Sequence, residues 1–305
     1  MKRNGVLVVG SANMDMVATT ARFPDPGETV FGSNFGMFPG GKGANQAVAC
    51  AKLGMRTEFI GKMGNDVFRE TLMGSMRRDG VRLKHVMFDA GNSTGIAMIT
   101  IDGGGQNEIV VISGSNMSLL PADLDRHRGL FSQVQVVLLQ LEIPLISVVH
   151  AAELAHRSGA IVILNPAPAR KLPRPLLKTV DFLTPNETEA ERLTGIRVRD
   201  MKSAERAARE LLRVGVKHVI VTLGKRGCLL ATNALTRVFP ALRVKPLDTT
   251  AAGDAFNGAL AHGLASGKDL CKVIPFANSV AAFAVTRMGA QSSMPTMKEL
   301  RAFIR

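Results

Sequence analysis

The stretch DTTAAGDAFNG, Asp248 to Gly258, sets two aspartates six residues apart around a run of small side chains. An apolar stripe of Ala252, Phe256, Ala259, Leu260 and Gly263 puts Ala251, Ala252, Gly253 and Asp254 at a helix start. The first N–H groups of a helix have no intrahelical acceptor, and side chains this small let an anion approach them closely. A carboxylate in that anion hole is placed to take a proton from an alcohol while the N–H groups hold a transferring phosphoryl group. A plain helix cap is the alternative reading of Asp254 alone.

Other residues suit the partners such a base would need. FPGGKGANQAVACAKLG is a Gly-rich turn opening a helix. There Gly40, Gly41 and Gly43 permit close backbone approach, Lys42 supplies donors and charge, and Asn45 bonds hydroxyls in two directions. Its spacing is not that of a nucleotide P-loop, so taken alone it is equally a structural turn. Asn13 and Asp15 in GSANMDM share one side of an extended segment and suit neighbouring sugar hydroxyls, with an Asx-turn as the alternative. Glu142 is a charge at the end of VQVVLLQLE. Asn186 and Glu189 in TPNETEAERL are spaced for ordering water around Mg²⁺ or, equally, for a helix cap. VTLGKRGCLL reads as strand, Gly turn, strand, a backbone wall for a nucleotide.

The elements that must position these groups follow from periodicity. Continuous apolar runs, GVLVVG, VQVVLLQLE, AIVILNPAP, VDFLTPN and HVIVTLG, suit strands buried on both faces of a parallel sheet. Helical stripes lie between them, such as Ala44, Ala47, Val48, Ala51 and Ala204, Ala207, Ala208, Leu211. The alternation predicts a doubly wound α/β fold, a mostly parallel sheet flanked by helices with ligands at the strands' carboxyl ends. Two β-rich, Gly-punctuated segments break it, at about 14–40 and 94–116, and are expected to pair into a small sheet serving as a lid on a single domain spanning 1–305. The run Gly103-Gly104-Gly105 is expected to be a hairpin turn, since a strand follows it.

Composition narrows the function classes. The three cysteines, Cys50, Cys228 and Cys271, are too few and too scattered for a disulfide framework or a C-x-x-C metal site, and are expected to be buried. The six histidines make no H-x-x-x-H pair and no G-x-S-x-G elbow is present, so zinc and serine hydrolase chemistry is unsupported. Lysine and arginine number 38 against 25 acidic residues, a formal charge of +13. That excess favours anionic ligands, but the basic residues are scattered and Trp and Tyr are absent, which argues against nucleic acid as partner. No apolar run approaches the roughly 18 residues of a membrane span, and Val6 to Val9 is short for a signal core, so the expectation is a cytoplasmic protein without a membrane partner.

Taken in order, VVGSANMD, PGGKGANQAVACAKLG, FIGKMGND, LLQLE, NPAPA, TPNETEA, VTLGKRG, DTTAAGDAFNGALA and ANSVAAFAVTRMGAQSS closely resemble the PfkB, or ribokinase-type, family of carbohydrate kinases over nearly the whole chain. The resemblance implies transfer of the γ-phosphoryl group of MgATP to the primary 5-hydroxyl of D-ribose, with deoxyribose, a nucleoside or a ketohexose as alternative acceptors. It implies Asp254 as base, with Ala251, Ala252 and Gly253 in the anion hole. Asn13, Asp15, Gly41, Lys42, Gly43, Ala44, Asn45 and Glu142 match the family's sugar-binding set. Asn186, the run Thr222, Leu223, Gly224, Lys225, Arg226 and Gly227, Gly253 and Asn278 match its nucleotide-binding set. Potassium is implied at Asp248, Thr250, Ala284, Arg287, Gly289 and Ser293, magnesium through water at Glu189, and a homodimer through the lid. Ala255 departs from the family, where many members carry Thr after the catalytic Asp.

Overall fold

The computed structural model describes residues 3–304. In chain order its strands are β1 (Val6–Val9), β2 (Asn13–Thr20), β3 (Gly32–Gly40), β4 (Thr57–Gly64), β5 (Val81–Asp89), β6 (Gly95–Ile101), β7 (Asn107–Ile112), β8 (Val136–Leu139), β9 (Ile161–Leu164), β10 (Phe182–Leu183), β11 (His218–Thr222), β12 (Cys228–Thr232) and β13 (Thr236–Phe239). Nine of them make one sheet in the order β13-β12-β11-β10-β9-β8-β1-β4-β5. From β5 to β11 every pairing is parallel, and the β12–β13 end is antiparallel.

The apolar runs become central strands because both faces of this sheet are covered. Val6, Val8, Val136 and Leu138 join one core with the helices Lys42–Lys52, Ala252–Ala265 and Leu270–Ala284. Leu7, Val9, Val137 and Leu139 join the other core with the helices Leu145–Arg157 and Met201–Arg213. Alternation along a strand sends successive side chains to opposite cores, so neither face tolerates a polar residue there.

The helix Ala252–Ala265 departs from the amphipathic stripe read in its sequence: its residues from Asp254 to Ala265 are all buried. It lies inside the body, wedged against helix Lys42–Lys52 by Gly258, where a Cβ would meet the Ala49 Cβ at 2.6 Å and the Gln46 carbonyl at 2.9 Å. That close crossing is what brings the 40–45 turn and Asp254 together.

The remaining four strands form a second sheet in the order β3-β2-β6-β7. Its centre is a parallel β2–β6 pair, and both outer pairings are antiparallel. The glycine run makes the β6–β7 hairpin turn, closed by the Asp102 N–H donating to the Gln106 carbonyl at 3.0 Å. Every residue of β7 is exposed. The cysteine expectation needs a correction: Cys50 and Cys228 are buried, whereas Cys271 is exposed. Asp269 caps its helix by accepting from the Cys271 N–H, which leaves that first turn facing solvent.

Candidate active site

The carboxyl ends of the parallel strands and the root of the small sheet converge on Asp254. Its carboxylate, 6 % exposed, accepts from Asn45 Nδ2 at 3.0 Å and from Gln46 Nε2 at 2.9 Å. Burial pushes its pKa above the ordinary carboxylate value, while Lys42, Gln46 and Asn45 pull the other way and Glu142 adds to the rise. A buried polar chain fixes the Gln46 amide: it donates also to Asn165 Oδ1 at 3.1 Å, and its Oε1 accepts from Gln140 Nε2 at 2.6 Å. The base candidate is therefore held from behind by three amide side chains that sequence reasoning missed. Their signal was position, since Gln140 and Asn165 interrupt or end apolar strands where a polar group must have a partner.

Ahead of Asp254 the backbone is unusual. Ala251 sits at φ 59° and is the only non-glycine residue with positive φ among the described residues. A left-handed alanine costs of order 1 kcal/mol or more, so the surrounding loop must hold it there. The first i→i−4 bond of this helix is the Ala255 N–H to the Ala251 carbonyl, at 2.8 Å, so the amides of Ala252, Gly253 and Asp254 precede the ladder. The Ala252 N–H donates to the Thr249 carbonyl at 3.4 Å, and a Cβ on Gly253 would meet nothing within 4 Å, so there is room beside Gly253.

The 40–45 turn is locked onto the end of β1. Glu142 Oε2 accepts from the Lys42 N–H at 3.0 Å and from Ser11 Oγ at 2.5 Å, and Ser11 Oγ accepts in turn from the Gly43 N–H at 3.3 Å. Ser11 is a further residue missed from the sequence. Gly41 adopts φ 87°, and a Cβ there would lie 2.6 Å from the Asn13 nitrogen, so the turn fits only with glycine. The Lys42 ammonium loses hydration by burial, yet Asp254, Glu142, Glu189 and Asp15 together raise its pKa, so it stays charged. Ala44 and Asn45 are buried, and the Asn45 Oδ1 has no protein partner.

Asn13 and Asp15 leave β2 on one face. Asn13 Oδ1 accepts from Asn116 Nδ2 at 2.7 Å, and Asn116 also brackets Ala12 through both its N–H and its carbonyl. Asn116 is the fifth residue missed, standing just beyond the small sheet in a short 3-10 turn. Burial, with Glu142 and Asp254 nearby, pushes Asp15 up to about 7 against the pull of Lys42.

Further along the sheet edge, Asn186 caps the helix Glu187–Thr194 and is bonded reciprocally to Glu189, whose Oε2 accepts from the Asn186 N–H at 2.9 Å. The capping reading of that N-x-x-E pair is thus realised; burial raises the Glu189 pKa, Asn186 and Lys42 opposing. Thr222 ends β11, Leu223 is buried, and Gly224 to Arg226 form a short turn closed by Gly227 at φ 88°. Arg226 is held by Glu187 and by the Arg199 carbonyl, leaving Lys225 as the exposed cation of the turn. Asn278 donates to the carbonyls of Phe239 at 3.2 Å and Pro240 at 3.1 Å, bracing the chain beside that turn. Ahead of the helix Ala252–Ala265, Asp248 accepts from the Thr250 N–H and from the Gly289 N–H, each at 2.8 Å, joining the loop before the helix to the loop after Ala284. Ser293 is fully buried with its hydroxyl on the Ala290 carbonyl, and Arg287 pairs with Glu299.

Residues 3–297 match the model of the pfkB family carbohydrate kinases. A ribokinase of Haemophilus influenzae is 40% identical over 302 residues, covering 99% of both chains. A deoxyribokinase of Salmonella typhi is 38% identical over 300 residues, covering 98% of both chains. The structure of Arabidopsis thaliana ribokinase complexed with ribose and ATP superposes with a TM-score of 0.95 at 32% identity, covering 100% of this chain and 99% of that one. The chain belongs to the pfkB family of carbohydrate kinases, enzymes that transfer phosphate to a sugar hydroxyl.

Proposed function

We propose that this kinase phosphorylates D-ribose at its primary 5-hydroxyl, consuming ATP and releasing ribose 5-phosphate and ADP. The observation that carries the reading is Asp254: a buried carboxylate, oriented by Asn45 and Gln46, in the first turn of a helix with room beside Gly253. In the reaction the sugar oxygen bonds to the γ-phosphorus as the bond to the β-phosphate bridging oxygen breaks, and Asp254 receives the hydroxyl proton. The amides of Ala251, Ala252, Gly253 and Asp254 stabilise charge on the transferring group. Asn13, Asp15, Gly41, Lys42, Gly43, Ala44, Asn45 and Glu142 bind the sugar; the free Asn45 Oδ1 is an acceptor still to be used. Asn186, the turn from Thr222 to Gly227, Gly253 and Asn278 line the nucleotide.

Two cations fit the donor sets. The Asp248 carboxylate with the carbonyls of Thr250, Ala284, Arg287 and Gly289 and the Ser293 hydroxyl is an all-oxygen set suited to potassium, whose charge would stiffen the loops that shape the anion hole. Glu189 suits water-mediated contact with magnesium, which neutralises triphosphate charge when bound. The reading extends to a cytoplasmic homodimer joined through the small sheet, supported by the exposed apolar residues Phe35, Met37, Met98, Val110 and Val111 on that sheet.

Deoxyribose is the second reading, because the Salmonella typhi deoxyribokinase is nearly as similar as the ribokinase relative. A panel of ribose, deoxyribose, nucleosides and ketohexoses, with ADP release coupled to detection and with potassium present or replaced, decides between them. Ribose is expected to give the highest kcat/KM. A preference for another acceptor by about 100-fold, or about 2.7 kcal/mol, overturns the assignment.

A further inference from the structure

A cavity of about 550 Å³ opens at the amino ends of the parallel strands, the edge of the sheet opposite the carboxyl ends that carry Asp254. It is lined by Arg56 and Glu58 at the start of β4, by Arg82, Lys84 and His85 of β5, and by Arg126 and His127 in the segment leading to β8. None of these residues serves the kinase site.

Four cationic side chains line this cavity against one carboxylate, Glu58. Glu58, 4 % exposed, accepts from Arg56 Nε at 3.2 Å and Nη2 at 3.0 Å, and the same oxygen lies 3.5 Å from Arg82 Nη1. One buried carboxylate thus hydrogen-bonds one guanidinium group, stands beside a second that is 59% exposed, and leaves a net positive charge with unused N–H donors. Arg126 shares Asp123 with Lys62, so it too is only half compensated, and Lys84 is exposed with no ion pair among the described residues. The His85 and His127 rings meet edge to face with centroids 4.9 Å apart, adding N–H donors on the cavity wall.

We propose that this cavity binds a small phosphate-bearing anion, separate from the nucleotide and sugar at the opposite edge. Guanidinium forks recognise tetrahedral oxyanions through paired N–H donors, and the uncompensated charge supplies the attraction. The cluster also gives part of the +13 excess a purpose that the phosphotransfer site does not require.

Calorimetric titration with inorganic phosphate and with glycerol phosphate, at constant ionic strength balanced by chloride, tests it and separates free anion from ester. Saturable binding of at least one probe is expected. The double variant Arg82→Glu/Lys84→Glu should weaken it by about ten-fold or more, since it removes two cationic donors and adds two carboxylates. Arg126→Gln should weaken it by a few-fold, and both variants should keep the kcat and KM of the unaltered kinase, which also certifies their folding. An unchanged dissociation constant in the double variant would place the anion in the phosphotransfer site instead. Absence of saturable heat with both probes equally overturns the proposal.

Discussion

The two sheets of this molecule solve opposite problems. In the large sheet the central strands are fully buried, each side chain belonging to one of two cores. In the small sheet β7 is exposed along its whole length, and Met98, Ile109, Val110 and Val111 leave apolar surface uncovered. The first arrangement fixes atoms: Asp254, Glu142 and Asn165 are held by elements that cannot shift without opening a core. The second leaves apolar area for a ligand or a second subunit to cover.

The largest test concerns what the rigid sheet holds. Asp254→Asn preserves shape and removes the proton acceptor, so steady-state turnover should fall about 10²- to 10⁴-fold while calorimetric sugar affinity is retained. Near-normal turnover would refute the base. Next comes the contrast itself. Leu138→Ala, in a fully buried strand, should cost about 2–5 kcal/mol in denaturant unfolding. Val110→Ala, at 62 % exposure, should stay within about 0.5 kcal/mol for the monomer and act instead on the sedimentation profile. Equal losses would mean that the sheets are equivalent.

The last test lies at the junction of the sheets. Asp15 carries a folded-state pKa of about 7 against an ordinary 3.8, so the folded protein holds a proton there that the unfolded chain releases. Stability from this group therefore declines as pH rises from about 4 to 7 and stays low above that. Asp15→Asn should raise the melting temperature at pH 8 more than at pH 5, while weakening sugar binding. An equal shift at both pH values would contradict the raised pKa.

Much of this was legible in the residues. Apolar runs became central strands because a parallel sheet buried on both faces calls for continuous apolar residues, and Glu142 and Asn186 follow the carboxyl ends of β8 and β10 by the same topology. The β-rich interruptions announced the small sheet, though not that its middle pairing would be parallel, which depends on contacts between segments over 70 residues apart. Ser11, Gln46, Asn116, Gln140 and Asn165 were not legible as site residues. Each acts through partners distant in sequence, so no local spacing marks it. The helix Ala252–Ala265 was misjudged in degree: its stripe was visible, but glycines at 258 and 263 permit contacts that bury it nearly all round.

Asn116 bears further on motion. It grips Ala12 and Asn13 at the point where the chain leaves the large sheet and enters β2, whose eight residues extend about 26 Å at about 3.3 Å each. A strand rooted at one end is a lever, and a turn of about 10° at its pivot would carry its far end by about 4–5 Å. Asn13 and Asp15 lie next to that fulcrum and would hardly move. The same strand thus joins a base beside the pivot to a long reach at its tip, with the Asn116 amide bonded at the joint.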